Sequence, residues 1–205
     1  MPVMPTDRLH LKTFVNPELP ETIYFDSSFV VKTLVEGLPY HQECMDFVRR
    51  LEEKQPIVVV SKISRPELWC AAIRICIRNL FRAKDEKKAV DIDKVLYDYP
   101  DLIKRFHKQT VQIQNDFDNL LQRFTFRVIE DVKDEILNKA QALMQKYNLG
   151  SYDAIHIATI DHWKMKDIAA FDHVIEDITD LNIWTCGGAK RHRSRWQRRK
   201  SLPAI

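Results

Sequence analysis

The sequence predicts an α/β fold: a three-layer α/β/α sandwich around a mainly parallel sheet of about five short strands. Short β-rich runs alternate along the 205-residue chain with longer segments whose apolar residues recur at helical spacing. Parallel strands need long crossover connections, and the helical segments supply them. No stretch approaches the roughly 20 apolar residues of a membrane span, so we expect a cytoplasmic protein without a membrane partner.

The first half of the chain contains two predicted strands. TIYF at 22–25 is a short β-rich run, and IVVV at 57–60 has the compact apolar character of a buried strand. A helix is expected after each strand, and Cys44, Phe47, Val48 and Leu51 mark a further helix over 40–54. The helix after IVVV is long and extends from Ser61 to Phe81.

The second half contains three more predicted strands, FRVI at 126–129, DIAAF at 167–171 and LNIW at 181–184. Helices are expected over 131–147 and 151–164, separated by Asn148-Leu149-Gly150, which is typical of a helix end. A brief helix should begin at Asp172, between the last two strands.

The chain is predicted to form one domain with appendages. Residues 1–20 are expected to be an irregular lead-in, residues 21–186 the domain, and residues 187–205 a basic tail. A helical insertion around 84–122 should consist of one or two long helices broken near Pro100.

Four acidic residues fall where the predicted strands end or the following helices begin. Asp26 follows the first strand and Asp172 follows IAAF, while Glu67 and Asp153 lie in the first turns of their helices. In a parallel α/β fold the carboxyl ends of the strands share one edge, where ligands bind. We therefore expect these four carboxylates to converge.

Each acid taken alone has a structural explanation. Asp26 and Asp172 could cap helices, Ser64 and Glu67 form a capping box, and Asp153 suits a helix amino terminus. Together, however, four converging carboxylates repel one another, and a bound divalent cation removes this objection. Oxygen ligands without a cysteine or histidine set favour Mg²⁺ or Mn²⁺.

Four stretches carry a resemblance to a known family: YFDSS at 24–28, SKISRPEL at 61–68, GSYDAIHIATI at 150–160 and AAFDHVI at 169–175. Their order and spacing resemble PIN domains, and most closely the VapC-type toxins of bacterial toxin–antitoxin pairs. The resemblance covers roughly residues 21 to 185.

This resemblance implies a catalytic site that binds Mg²⁺ or Mn²⁺ through Asp26, Glu67, Asp153 and Asp172, with Ser28 holding a water or phosphate oxygen. His156, one helical turn after Asp153, is expected to be a packed, hydrogen-bonded side chain. The implied reaction is hydrolysis of RNA by an activated water, which leaves 5′-phosphate and 3′-hydroxyl ends.

The sequence departs from the family pattern at two places. Ala170 stands where many relatives have a hydroxyl residue two positions before the last Asp, so Asp177 is an alternative fourth ligand. The 84–122 segment is longer than the usual middle segment of a small toxin, which predicts a helical extension.

The resemblance also implies partners: an RNA substrate, a cognate antitoxin and a second copy of the chain in a homodimer. A non-catalytic RNA- or protein-binding scaffold, and a PIN nuclease outside toxin–antitoxin systems, are the alternatives. A phosphoaspartyl hydrolase is disfavoured because such enzymes need a second Asp where Ser28 stands.

The carboxyl-terminal tail carries a concentration of positive charge. Seven of the 32 Lys and Arg residues lie between 190 and 200, which leaves 25 against 29 acids elsewhere. Phosphate contacts dominate nucleic-acid affinity, and aromatic rings stack on bases. We therefore expect RNA contacts from Lys190, Arg191, Arg193, Arg195, Trp196, Arg198, Arg199 and Lys200; a solvated tail or a DNA-contacting tail are the alternatives.

Overall fold

The structure, a computed structural model, describes residues 11–82, 91–130, 132–172 and 174–186. These residues form one sheet of six strands, in the order β1-β6-β5-β2-β3-β4, and each neighbouring pair is parallel. The strands are β1 (Leu11–Thr13), β2 (Thr22–Phe25), β3 (Ile57–Ser61), β4 (Thr125–Ile129), β5 (Asp167–Ala169) and β6 (Asn182–Thr185). The predicted parallel α/β architecture is confirmed.

Strand β1 lies in the segment that was expected to be an irregular lead-in. It pairs with β6, with Leu11 opposite Ile183, and the Leu11 side chain is buried. Three residues are too few to show an alternating apolar pattern, so local sequence does not reveal this strand. The expectation for 1–20 was therefore wrong at residues 11–13, and the sheet has six strands where about five were expected.

Helices cover both faces of the sheet. They are α1 (Ser27–Leu34), α2 (His41–Lys54), α3 (Ser64–Arg82), α4 (Ile92–Asp98), α5 (Leu102–Arg105), α6 (His107–Leu121), α7 (Asp134–Tyr147) and α8 (Ser151–His162), with a 3₁₀ turn at Ile175–Asp177. Among the described segments, none of these helices has the length and apolar character needed to span a bilayer.

Strand β2 shows how the two helical layers are built. Ile23 and Phe25 point to one face and pack with α1, α2 and α6, whereas Tyr24 points to the other face and packs with α7 and α8. This alternation follows from the two-residue period of a strand. The central strand is therefore buried on both sides, as is usual in parallel sheets covered by helices.

The helical insertion is more divided than the sequence indicated. The expected break near Pro100 is present, because Tyr99–Asp101 separate α4 from α5. A second interruption, at Phe106, separates α5 from α6. The described part of the segment, residues 91–122, therefore contains three helices, of which α6 packs against α3.

The order of the strands determines where a ligand can enter. From β2 the chain moves outward to β3 and β4, and then returns to β5 on the other side of β2. In open α/β sheets, ligands bind in the crevice at the carboxyl ends of the strands where the order reverses. That crevice lies between the ends of β2 and β5, next to Asp26 and Asp172.

Candidate active site

Asp26 stands at the end of β2 and caps α1. Its Oδ2 atom accepts a hydrogen bond from the Ser28 backbone N–H at 2.9 Å and another from the Ser28 hydroxyl. The Ser28 hydroxyl oxygen in turn accepts from the Phe171 backbone N–H at 2.9 Å. Ser28 therefore links the ends of β2 and β5. The Asp26 side chain that it holds is buried, with 3% exposure.

Glu67 lies in the first turn of α3 and is held by a buried histidine. The distance from Glu67 Oε2 to His156 Nε2 is 2.7 Å, and the same nitrogen is 3.9 Å from Asp26 Oδ1. The other ring nitrogen, Nδ1, lies 2.5 Å from the Tyr24 hydroxyl oxygen. His156 is thus the packed, hydrogen-bonded residue that the sequence predicted, and it connects two of the four acids.

Asp153 lies in the first turn of α8, which begins immediately after Gly150. A Cβ atom added to Gly150 would lie 3.1 Å from Asp153 Oδ2, which is shorter than most contacts that Cβ atoms make in proteins. Glycine at this position therefore leaves room for the carboxylate. Asn148, in the left-handed conformation at φ 53°, ends α7 and allows the chain to turn into α8.

Asp172 follows β5 and is partly buried. Its Oδ1 atom accepts a hydrogen bond from the Val174 backbone N–H at 2.9 Å. Its charge is the largest charge contribution to the raised pKa of Asp153. The alternative acid, Asp177, is exposed in the 3₁₀ turn. The geometry therefore favours Asp172 over Asp177.

The acids at this edge oppose one another electrostatically. The pKa of Asp153 is raised from 3.8 to about 6, mainly by burial and to a smaller extent by the charges of Asp172, Asp26 and Glu67. Burial also raises the pKa of Asp26, and the charge of Glu67 adds to this effect. Asp26 and Glu67 thus lie beside the same nitrogen of His156, and the charges of Asp26, Glu67 and Asp172 all disfavour the ionised form of Asp153.

His156 offsets part of this negative charge. Burial lowers the pKa of its imidazole, but the hydrogen bond to Glu67 and the charges of Asp26, Glu67 and Asp153 outweigh that effect and raise the pKa overall. An imidazole in this position is therefore protonated more readily than an exposed one.

Comparison with known proteins identifies the family of this chain. The family model described as "PIN domain" matches residues 23–181. The chain belongs to the PIN-domain family. This confirms the family resemblance of the four quoted stretches.

Several known proteins are similar to this PIN domain. Ribonuclease VapC6 of Methanocaldococcus jannaschii is 21% identical over 164 residues, which cover 80% of this chain and 97% of the relative. Among solved structures, Mycobacterium tuberculosis VapC20, a "Sarcin-Ricin loop cleaving toxin", is 17% identical, has a TM-score of 0.48, and the match covers 74% of this chain and 90% of that chain. A chain of a toxin–antitoxin complex from Klebsiella pneumoniae is 19% identical and has a TM-score of 0.46. That match covers 78% of this chain and 94% of the other.

The acidic edge of this PIN domain fits a hard divalent cation by its donor chemistry. Its side chains offer carboxylate oxygens, the ligands that Mg²⁺ and Mn²⁺ prefer. Within the described residues, no three His, Cys, Asp or Glu side chains form a ready-made metal-binding group. Mg²⁺ takes only one or two carboxylates directly and keeps several waters, so this spacing is compatible with it.

Two cavities lined by described residues lie away from the acids. One of about 500 Å³ lies against β3, β4 and the end of α8 and is lined by Arg127, Lys133 and Trp163 among others. Another, of about 260 Å³, lies between α1, α3 and α6. The candidate site is identified by its chemistry and by its place at the end of the sheet.

The geometry leaves one set of predicted residues undescribed and adds one residue that was not predicted. The eight predicted RNA-contacting residues, from Lys190 to Lys200, lie outside the described residues. Sequence reasoning also did not single out Tyr24, which contacts His156 across 132 positions. The available signal was a tyrosine between two apolar residues of the central strand, because a buried tyrosine hydroxyl needs a hydrogen-bond partner.

Proposed function

We propose that this PIN domain is a metal-dependent endoribonuclease that acts in the cytoplasm. The observation that supports the proposal is a set of acids around His156: Glu67 Oε2 and Asp26 Oδ1 lie 2.7 and 3.9 Å from its Nε2, and the charges of Asp172, Asp26 and Glu67 act on Asp153. Asp26 is 3% exposed, and the pKa of Asp153 is raised to about 6. Carboxylates held together in this way are destabilising until a cation neutralises them.

In this proposal Asp26, Glu67, Asp153 and Asp172 hold Mg²⁺ or Mn²⁺. Such an ion supplies charge stabilisation for the phosphodiester and lowers the pKa of a water molecule. The protein's own contribution is to hold the carboxylates, because Ser28 fixes Asp26 and keeps it next to the strand that leads to Asp172.

The proposed reaction is hydrolysis that leaves 5′-phosphate and 3′-hydroxyl ends. The test is cleavage of labelled RNA with Mg²⁺ or Mn²⁺, with and without a chelator, beside the isosteric variant Asp26→Asn. We expect cleavage that needs the metal and falls more than about 100-fold in the variant, beyond what the loss of a supporting residue costs. Chelator-resistant cleavage, or full activity of the variant, would reject this mechanism.

The fourth acid can be decided with a matched pair of variants. We expect Asp172→Asn to lose activity and Asp177→Asn to keep it, because the charge of Asp172 acts on Asp153 whereas Asp177 is exposed. The reverse result would make Asp177 the ligand.

We further propose that the protein is the toxin of a type II toxin–antitoxin pair and forms a homodimer. Support comes from the similarity to Ribonuclease VapC6, nearly all of whose length is matched. Induced expression should arrest growth, a co-expressed antitoxin should relieve the arrest, and light scattering should give twice the 24.2 kDa chain mass. If the protein cleaves RNA but does not arrest growth, it is a PIN nuclease outside toxin–antitoxin systems. If it does not cleave RNA, the alternative of a non-catalytic binding scaffold is favoured.

The division into a domain over 21–186, to whose sheet β1 also belongs, and a tail over 187–205 is part of the same proposal. Each phosphate contact on single-stranded RNA contributes about −0.7 to the slope of the logarithm of the RNA-binding constant against the logarithm of salt concentration. If the seven basic residues of the tail all contact phosphates, this slope is therefore about −5. A chain ending at Gly188 should show a flatter slope. An unchanged slope would remove the tail from RNA binding.

A further inference from the structure

Three side chains form a hydrogen-bonded chain from the buried face of the sheet to its acidic edge. The Tyr24 hydroxyl is 2.5 Å from His156 Nδ1, and His156 Nε2 is 2.7 Å from Glu67 Oε2. Tyr24 comes from the central strand and His156 from α8, and both are completely buried. Their contact is therefore shielded from competition by water.

The surroundings of the imidazole determine which nitrogen carries a hydrogen. Nε2 faces two carboxylates, Glu67 at 2.7 Å and Asp26 at 3.9 Å, so a bare lone pair there would be repelled. In the neutral ring Nε2 therefore carries the hydrogen, and the Tyr24 hydroxyl donates to Nδ1. In the protonated ring both nitrogens donate. In either state His156 donates to Glu67.

Each acid at the centre of the site then has its own donor. Glu67 accepts from His156, while Asp26 accepts twice from Ser28. Only one hydrogen is available on Nε2, and the shorter distance assigns it to Glu67. Glu67 is carried on the first turn of α3, so its long side chain would otherwise be free to adopt several rotamers.

We propose that Tyr24 and His156 are positioning residues, which fix one carboxylate oxygen of Glu67 so that the other is available to a divalent ion. The inference rests on the proposed function, because it concerns the same acidic edge. Residues that orient ligands in this way tune metal affinity, and their loss costs roughly 10–100-fold in metal affinity or activity.

The first test measures Mn²⁺ binding to the full chain without RNA, and then the Mn²⁺ concentration that gives half-maximal RNA cleavage. Tyr24→Phe removes only the hydroxyl, and we expect it to raise both values about 10-fold while the rate at saturating Mn²⁺ stays within about 3-fold. Tyr147→Phe is the matched control, because Tyr147 packs against the same hydrophobic cluster from the last residue of α7.

Rescue separates positioning from packing. His156→Ala should raise the Mn²⁺ requirement more than Tyr24→Phe, and His156→Gln should restore part of the loss because its side-chain amide can donate to Glu67. Thermal unfolding of each variant checks the fold. If His156→Ala does not fold, Tyr24→Phe and His156→Gln still decide the question.

The outcomes distinguish this inference from the proposed function. If the wild-type chain binds Mn²⁺ and folded Tyr24→Phe and His156→Gln bind it equally well, the positioning role is wrong and the metal site stands. If the wild-type chain neither binds Mn²⁺ nor cleaves RNA, both proposals fail. Nitrogen NMR of the metal-free protein adds an independent check, since a neutral His156 with its hydrogen on Nδ1 would contradict the proposed direction of the chain.

Discussion

The acidic edge of the sheet and the helical insertion both contain many charged residues, but they place them in opposite environments. At the edge, Asp26 is 3% exposed and Asp153 is partly buried among other acids. In the insertion, Asp93 pairs with Arg74 of α3 at 3.0 Å with side-chain exposures of 78% and 48%, and Asp101 lies on the surface beside Lys104.

This difference separates the charges that solubilise the protein from those that a site requires. Exposed ion pairs contribute little to stability, with a median of about 0–1 kcal/mol, and can be gained or lost at small cost. Buried like charges reduce stability and persist where the structure needs them for chemistry. The acidic edge therefore carries the functional interpretation, and the insertion does not.

The largest contrast should appear in activity. Asp153→Asn removes a charge from the acidic edge and should lower RNA cleavage by more than about 100-fold, while Asp93→Asn removes one from the insertion and should change it less than about 2-fold. Single-turnover cleavage of the same RNA measures both. Equal effects of the two variants would abolish the distinction between the regions.

A somewhat smaller contrast is expected in stabilisation by metal. Mg²⁺ at 100 times its dissociation constant should stabilise the wild-type chain by about 2.7 kcal/mol, because it binds only the folded acidic edge. Thermal unfolding should show this gain in Asp93→Asn and most of it lost in Asp153→Asn. Equal stabilisation of the two variants by Mg²⁺ would place the ion elsewhere.

The pH dependence of stability tests the cost of the buried charge. The pKa of Asp153 is about 6 in the folded protein and near 3.8 when unfolded, so between these values the folded state holds the extra proton. The stability of the metal-free protein should therefore fall as the pH rises from about 4 to 6 and then level off with respect to this group.

Asp153→Asn should remove that fall. At pH 7.5 we expect the metal-free variant to be more stable by about 1 kcal/mol after allowing for solvent screening, or roughly 2–4 °C in Tm, with no difference below pH 4. Calorimetry in the presence of a chelator measures it. A variant that is less stable than the wild type at pH 7.5 would show that the charge is well compensated.

Much of the acidic edge could be predicted from local sequence. Asp26 directly follows β2 and Glu67 begins the helix after β3, so their common edge follows from the parallel topology. Asp153 begins a helix that follows another helix, so its position also depends on how α7 and α8 pack. The Tyr24–His156–Glu67 chain could not be predicted, because its two contacts span 132 and 89 positions and depend on how the layers pack. Strand β1 could not be predicted for a similar reason, because its three residues form a strand only through pairing with β6.

The insertion was predictable only in outline. Pro100 correctly marked a break, but the end of α5 at Phe106 carries no proline or glycine signal. Packing of the partly apolar helices against α3, which buries Ile92, Phe106 and Ile77, determines where they end.

The smallest expected effect is in the ion pair of the insertion. A double-mutant cycle on Arg74 and Asp93 should give a coupling energy below about 0.5 kcal/mol that declines further in 1 M salt, because both side chains are exposed. A coupling energy of several kcal/mol would contradict the comparison, because it would show that this ion pair of the insertion contributes strongly to stability.

The central claim is that the four strand-end carboxylates share a divalent ion. A crystal grown with Mn²⁺ and measured at the manganese absorption edge tests it directly. We predict an anomalous difference peak enclosed by Asp26, Glu67, Asp153 and Asp172 that disappears in Asp153→Asn. A fully occupied Mn²⁺ site elsewhere, with no density between these carboxylates, would contradict the account.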